Sequence, residues 1–272
     1  MKSVLIVATA VLTSFGMMTT AQADDGGRPG MATAVNAKLP LGLDWAPAVG
    51  PDVLLLHADD DSTYGSPIQG TLQSYGDLGA VDLYDARSST PTLDLLLAYD
   101  VVLTWSRDYY HDQVSIGDVL AGYVDAGGKV VNMNYSMGPP AQQLEGRFMD
   151  EGYTAMDGGL VYFGSTCLGS YDPQDPIMAG VTQVCDSVPL ADTYLTPGSR
   201  AVAWWLGELL FVAVKDDRTV VTIAGYVGYV HSWTGQMPEV VHNAILWLAG
   251  GAPFYADGFE SGDTSTWSVT VP

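Results

Sequence analysis

Three apolar runs in the first half of the chain each end in side chains able to do chemistry. Residues 53–56 lead into His57, Asp59, Asp60 and Asp61; residues 101–105 into Ser106, Arg107 and Asp108; residues 129–133 into Asn134, Tyr135 and Ser136. Of these, His57, Arg107, Asp108, Asn134 and Ser136 form the expected binding site. Asp59 and Asp61, with Asp108, would offer the several oxygen ligands that a hard cation such as Ca²⁺ takes. The same acids equally suit a solvated turn in which Asp59 or Asp61 caps backbone N–H groups. An EF-hand is excluded, because its glycine and distant glutamate are missing. Ser136 stands in Asn134-Tyr135-Ser136-Met137-Gly138, half of a nucleophile elbow with asparagine where the first glycine belongs. Its base would be His231, oriented by Glu239. Trp204, Trp205, Tyr226 and Tyr229 either stack a sugar or pack between elements. His242, beside an inward-facing valine, reads as packing or helix surface, and His111 as an exposed loop residue.

The elements that must position these groups alternate in type. Strands at 53–56, 81–84, 101–105 and 129–133 are separated by helical stretches. The first helix has Ser66 as N-cap and Pro67 at its first position, with Ile68, Leu72 and Tyr75 inward. A short turn follows Thr90-Pro91. The clearest helix has Ile116, Val119, Leu120, Tyr123 and Val124 at i, i+3, i+4, i+7, i+8 and Gly127-Gly128 as its stop. Alternation through short connections predicts an α/β fold with a mainly parallel central sheet of order 2-1-3-4, whose carboxyl-end crevice is the natural binding place. Further on, Pro139-Pro140 predicts a helix with Leu144 and Phe148 inward, 160–163 a strand, and 166–186 mostly loop. Residues 201–206, 209–214 and 219–224 read as strands, the last two as a hairpin. A final helix opens at Pro238 with Val241, Ala244, Ile245 and Leu248 inward.

Residues 1–23 carry Lys2, an apolar stretch and Ala21-Gln22-Ala23, the pattern of a signal peptide. Residues 24–50 form an extended lead-in, 51–251 the α/β domain and 252–272 a tail. No segment beyond the leader predicts a membrane span. The formal charge is −21, and losing Lys2 makes the exported chain one unit more negative. That charge argues against nucleic-acid binding and suits a solvated exterior. Export also places the only cysteines, Cys167 and Cys185, in an oxidising compartment. A disulfide is expected, stabilising by about 3 kcal/mol in the chain-entropy model. Metal binding by the two cysteines is the weaker alternative.

The run VLLLHADDDSTYGSPIQGTLQSYG, then VDLYDA, LLLAYDVVLTWS and GGKVVNMN, is similar to the class I glutamine amidotransferase-like fold, most closely to its secreted non-catalytic members. DPIMAGV and VVHNAILWLAG resemble the trehalose-utilisation-type branch. The resemblance spans roughly 52–250 and implies a flavodoxin-like three-layer sandwich with a C-terminal β-hairpin and helix. The family's nucleophilic cysteine would follow residues 129–133, where this chain has none. His231 and Glu239 lie near the family's His and Glu positions without the close His-x-Glu spacing, so glutamine hydrolysis is not implied. FYADGFESGDTSTWSVTVP, at the end, resembles a short segment recurring on exported bacterial proteins, and DGFESGD the opening strand of carbohydrate-binding β-sandwiches. The expectation is a secreted, non-catalytic α/β binding or structural module, with an unknown ligand or cell-surface partner. The alternative is a secreted serine hydrolase using Ser136 and His231.

Overall fold

β1 (Val53–Ala58) is buried along its whole length, as an unbroken apolar run covered on both faces must be. Its alternate side chains serve different layers. Val53 and Leu55 pack with Ile68 and Leu72 of α1 (Ser66–Gln73) and with Val240, Val241, Ala244 and Ile245 of α5 (Met237–Leu248). Leu54 and Leu56 face the opposite way. They meet Leu96 of α2 (Leu93–Leu96), Ile116, Leu120 and Tyr123 of α3 (Gln113–Asp125), and Phe148 of α4 (Arg147–Asp150). Helices thus cover both faces of the sheet. This computed structural model describes residues 50–138, 142–161 and 164–250. The expected signal peptide, the tail and all of the lead-in but Gly50 lie outside the described residues.

The main sheet divides into a parallel and an antiparallel half. β2 (Val81–Asp85), β1, β3 (Val101–Ser106), β4 (Lys129–Met133) and β11 (Val220–Ile223) lie side by side, every pairing parallel. The first four stand in the predicted 2-1-3-4 order. Beyond β11 follow β10 (Leu210–Lys215), β9 (Ser199–Trp205), β6 (Thr166–Tyr171), β7 (Val184–Asp186) and β12 (Trp233–Gly235), each antiparallel to its neighbour. The sheet as a whole is therefore mixed. β5 (Met156–Val161) and β8 (Leu190–Leu195) form a separate antiparallel pair.

Three local expectations need correction. Helical structure begins before Ser66, with a π-helical turn over Asp61–Gly65 whose N-cap is Asp60. The 166–186 region holds β6, a 3₁₀ turn over Pro176–Met178 and β7, because the cysteines sit on paired strand positions. Leu144 and Phe148 are buried as expected, but the helix there is only α4, and Pro139-Pro140 lie outside the described residues. Residues 225–230, strand-like in composition, form a loop. The Cys167–Cys185 disulfide is present, cross-linking β6 to β7. Among the described residues no helix is long and apolar enough to cross a membrane.

Candidate functional site

Parallel register decides which side chains share the carboxyl rim. His57 pairs with Trp105 on β3 and with Asp85 on β2, while Ala58 pairs with Ser106. His57 and Trp105 point to the α1/α5 face and stack at 5.0 Å between centroids. His57 is fully buried, and its Nε2 lies 3.3 Å from Asp61 Oδ1. Neither ring nitrogen makes a hydrogen bond of good geometry. Burial holds its pKa below the ordinary value against the opposing charges of Asp61 and Asp85, so at neutral pH this contact joins a neutral imidazole to a carboxylate. Gly65 lies directly over the ring: a Cβ there would sit 2.9 Å from Nε2.

Asp59 turns inward. Its Oδ1 accepts from the Asp60 N–H at 3.1 Å, and its Oδ2 accepts from the Tyr226 hydroxyl and from Trp105 Nε1–H. Desolvation raises its pKa despite those donors. The contact ties the turn after β1 to the loop after β11, and Gly228 allows the approach. A Cβ on Gly228 would come within 2.6 Å of Trp105 Nε1 and 2.8 Å of Asp59 Oδ2. The same loop is held from the other side by Asp186, whose two oxygens accept from the Tyr226 N–H at 2.8 Å and the Val188 N–H at 3.0 Å. Burial pushes this carboxyl up to about 6.

Arg107 is exposed and lies over the Tyr64 ring at 4.9 Å, donating to the Tyr64 hydroxyl. Its main chain is fixed by Gln142, whose Nε2–H donates to the Arg107 carbonyl at 2.6 Å. Tyr64 meets Tyr229 edge-on at 5.6 Å, and Tyr229 meets His231 edge-on at 5.1 Å. Tyr135 stands edge-on to Tyr226 at 5.4 Å. Burial raises the pKa of both Asp59 and Tyr226, and the charge of Arg107 opposes the rise at each, which places these groups in one electrostatic neighbourhood.

The remaining expected residues go elsewhere. Asp108 accepts from Arg87 Nη1 at 3.2 Å, and Arg87 also grips Asp85 through two 2.8 Å contacts. Asp61 faces His57, and Asp60 holds the Thr63 N–H at 2.8 Å. The proposed calcium set of Asp59, Asp61 and Asp108 is thus dispersed, and no cluster able to hold a metal occurs among the described residues. The helix-capping role falls to Asp60, while Asp59 accepts from the Asp60 N–H and Asp61 faces His57.

Asn134 Nδ2 donates to the Val188 carbonyl at 2.6 Å and leaves Oδ1 buried without a partner. Ser136 is fully buried, bonded to Asn132 Oδ1 and the Met133 carbonyl. Asn132 pairs with Thr104 and with Thr222 across three strands, a polar row on the α3 face. Ser136 belongs to that row, whereas His231 belongs to the exposed ring ladder, and no hydrogen bond joins them. His242 is partnered: it stacks on Tyr75 at 3.9 Å and meets Asp77 Oδ1 at 2.7 Å. Trp205 packs on Phe211 in the core.

Sequence reasoning missed Tyr64, Asp186 and Gly228. Tyr64 could have been found from its place in the short connection between β1 and α1, where it falls in the turn that runs into α1. Asp186 and Gly228 carry no local signal.

A mixed sheet whose parallel half has a polar rim at its carboxyl ends, with helices covering both faces, defines an α/β protein. Solved structures share this architecture. A ThuA-like protein from Bacteroides uniformis is 14% identical, with a TM-score of 0.54 over 79% of this chain and 99% of that one. A cytoplasmic protein from Salmonella typhimurium is 10% identical, with a TM-score of 0.51 over 72% and 98%. No family model matches the chain, and no curated protein matches its sequence. At these identities the likeness is one of fold.

Proposed function

We propose that the chain is an exported, non-catalytic α/β binding module whose ligand sits on the rim formed by Arg107, Tyr64, Tyr229 and His231. The observation that carries this reading is the separation of roles at the carboxyl edge. Arg107, Tyr229 and His231 are exposed there with Tyr64 half-buried beside them, and both strand-end serines, Ser106 and Ser136, are sealed inside. Nucleophilic catalysis needs a hydroxyl within reach of both its base and the substrate. Ser136 spends its hydroxyl on Asn132 and Met133, beneath the surface. By contrast, the Asp59–Tyr226 bond and the two Asp186 contacts fix the 225–230 loop, so the ring ladder is presented by a rigid frame. The disulfide is compatible with export to an oxidising compartment.

A fluorophosphonate probe tests the non-catalytic half of this reading. No labelling of Ser136 and no difference in ester hydrolysis between the wild type and Ser136→Ala are expected. Labelling at Ser136 that His231→Ala abolishes would establish the hydrolase instead.

A further inference from the structure

Resting on the binding reading above, we infer that Arg107 receives the carboxylate of a small ring-bearing acid, with the ring lying against the Tyr64–Tyr229–His231 ladder. Acidic residues outnumber Lys and Arg 31 to 10, so an arginine ordinarily finds a carboxylate. Arg87, Arg147 and Arg200 do, each within 3.2 Å of one. Arg107 and Arg218 differ: among the described residues no carboxylate lies within 4.0 Å of either, and of the two Arg218 is taken up by the Trp247 carbonyl and ring. Tyr64 covers one face of the Arg107 guanidinium and takes one donor, and Gln142 anchors the backbone beneath it. The remaining donors form a planar fork open to solvent. Such a fork matches a carboxylate with two parallel hydrogen bonds, and the stack beneath it reduces the ordering lost on binding.

The surroundings select within the anions. Asp61 and Asp108 stand on the same rim, about half exposed. A dianionic phosphate would pay twice against them and against the overall charge of −21, whereas a monoanion needs only the local cation. The apolar partner is at hand: Tyr229 and Val230 are exposed at 39% and 38%, and Tyr229 already stands in edge-to-face pairs with Tyr64 and with His231. A ligand with a flat ring next to its carboxylate meets both features at once.

The experiment uses benzoate, its neutral amide benzamide, acetate and inorganic phosphate as probes, with NMR chemical-shift mapping on the exported chain. Benzoate is expected to move the resonances of Arg107, Tyr64 and Tyr229, with acetate, benzamide and phosphate each binding about tenfold more weakly or not at all. Arg107→Lys, which keeps the charge but loses the fork, and Arg107→Gln should each weaken benzoate by about tenfold. Residue 107 is exposed, so the amide spectrum away from the rim should be unchanged in both variants. Benzamide equal to benzoate, or benzoate unaffected by Arg107→Gln, would overturn the carboxylate inference while leaving a rim that binds. Phosphate preferred over benzoate, or no rim shift with any probe at 20-fold above ~1 mM, the weakest affinity one good contact set should give, would overturn it as well. Failure of the binding reading itself shows separately, as Ser136-dependent labelling.

Discussion

A carboxyl group that is 1% exposed and answered only by backbone N–H groups is easier to bury protonated than charged, and Asp186 is in that position. Its pKa rises from 3.8 to about 6. A raised carboxyl pKa contributes stability that is complete below the unfolded value and is lost as pH climbs through the folded one. From pH 3.8 to about 6 this single group should therefore cost the fold up to about 3 kcal/mol. His57 acts oppositely in part of that range, because its depressed pKa withdraws stability as pH falls below 6.5. The clean measurement is the difference between the wild type and Asp186→Asn by urea denaturation. That difference should grow in the wild type's favour as pH is lowered from 6 to 4, and a flat difference would contradict the assignment. Close approach gives a second test. Gly228→Ala must push the loop off Trp105 and Asp59, so it should lower the melting temperature and release the Tyr226 hydroxyl, seen as a phenol that titrates closer to pH 10. Residue identity made His57, Asp59 and Arg107 visible in the sequence because each ends an apolar run. Tyr226 meets Asp59 across 167 positions, and no local pattern encodes a partner so distant.

Elements were legible where sequence neighbours are also spatial neighbours. The β1-α1-β2 and β3-α3-β4 units close through short crossovers, each strand reads as an apolar run, and α3 carries a full helical period. Its N-cap, Asp112, accepts from the Ser115 N–H at 2.9 Å, so Asp112→Ala should cost about 1 kcal/mol. Phe148, fully buried against the α3 side of the core, sets the larger effect: Phe148→Ala should cost about 3–5 kcal/mol, read from the shift in denaturation midpoint. The antiparallel half was harder to read for a physical reason. β6 is half-buried without a clean alternation, β7 and β12 have three residues each, and their pairing depends on chain segments far apart. What holds β6 to β7 is a covalent link on paired positions, which composition hints at but does not place. Reducing the Cys167–Cys185 bond should therefore loosen β6, β7 and β12 first, with amide exchange rising there while β1, β3 and β4 stay protected.

At the scale of the whole molecule, charge separates two explanations of any effect of salt. A chain at −21 repels itself, and added ions weaken that repulsion over a screening length of about 10 Å at 0.1 M. Calcium bound at a dedicated site would do something different, stabilising by mass action at concentrations too low to screen. The acids that sequence spacing suggested for such a site are each turned to other work: Asp59 to Tyr226 and Trp105, Asp61 to His57, Asp108 to Arg87. NaCl should accordingly raise the melting temperature, and CaCl₂ at matched ionic strength should raise it no further than MgCl₂. Asp59→Asn should leave that salt response intact even as it weakens the loop contact. A calcium-specific rise at micromolar concentration, removed by Asp59→Asn, would mean that the rim rearranges around the ion and that the acidic turn belongs to the site.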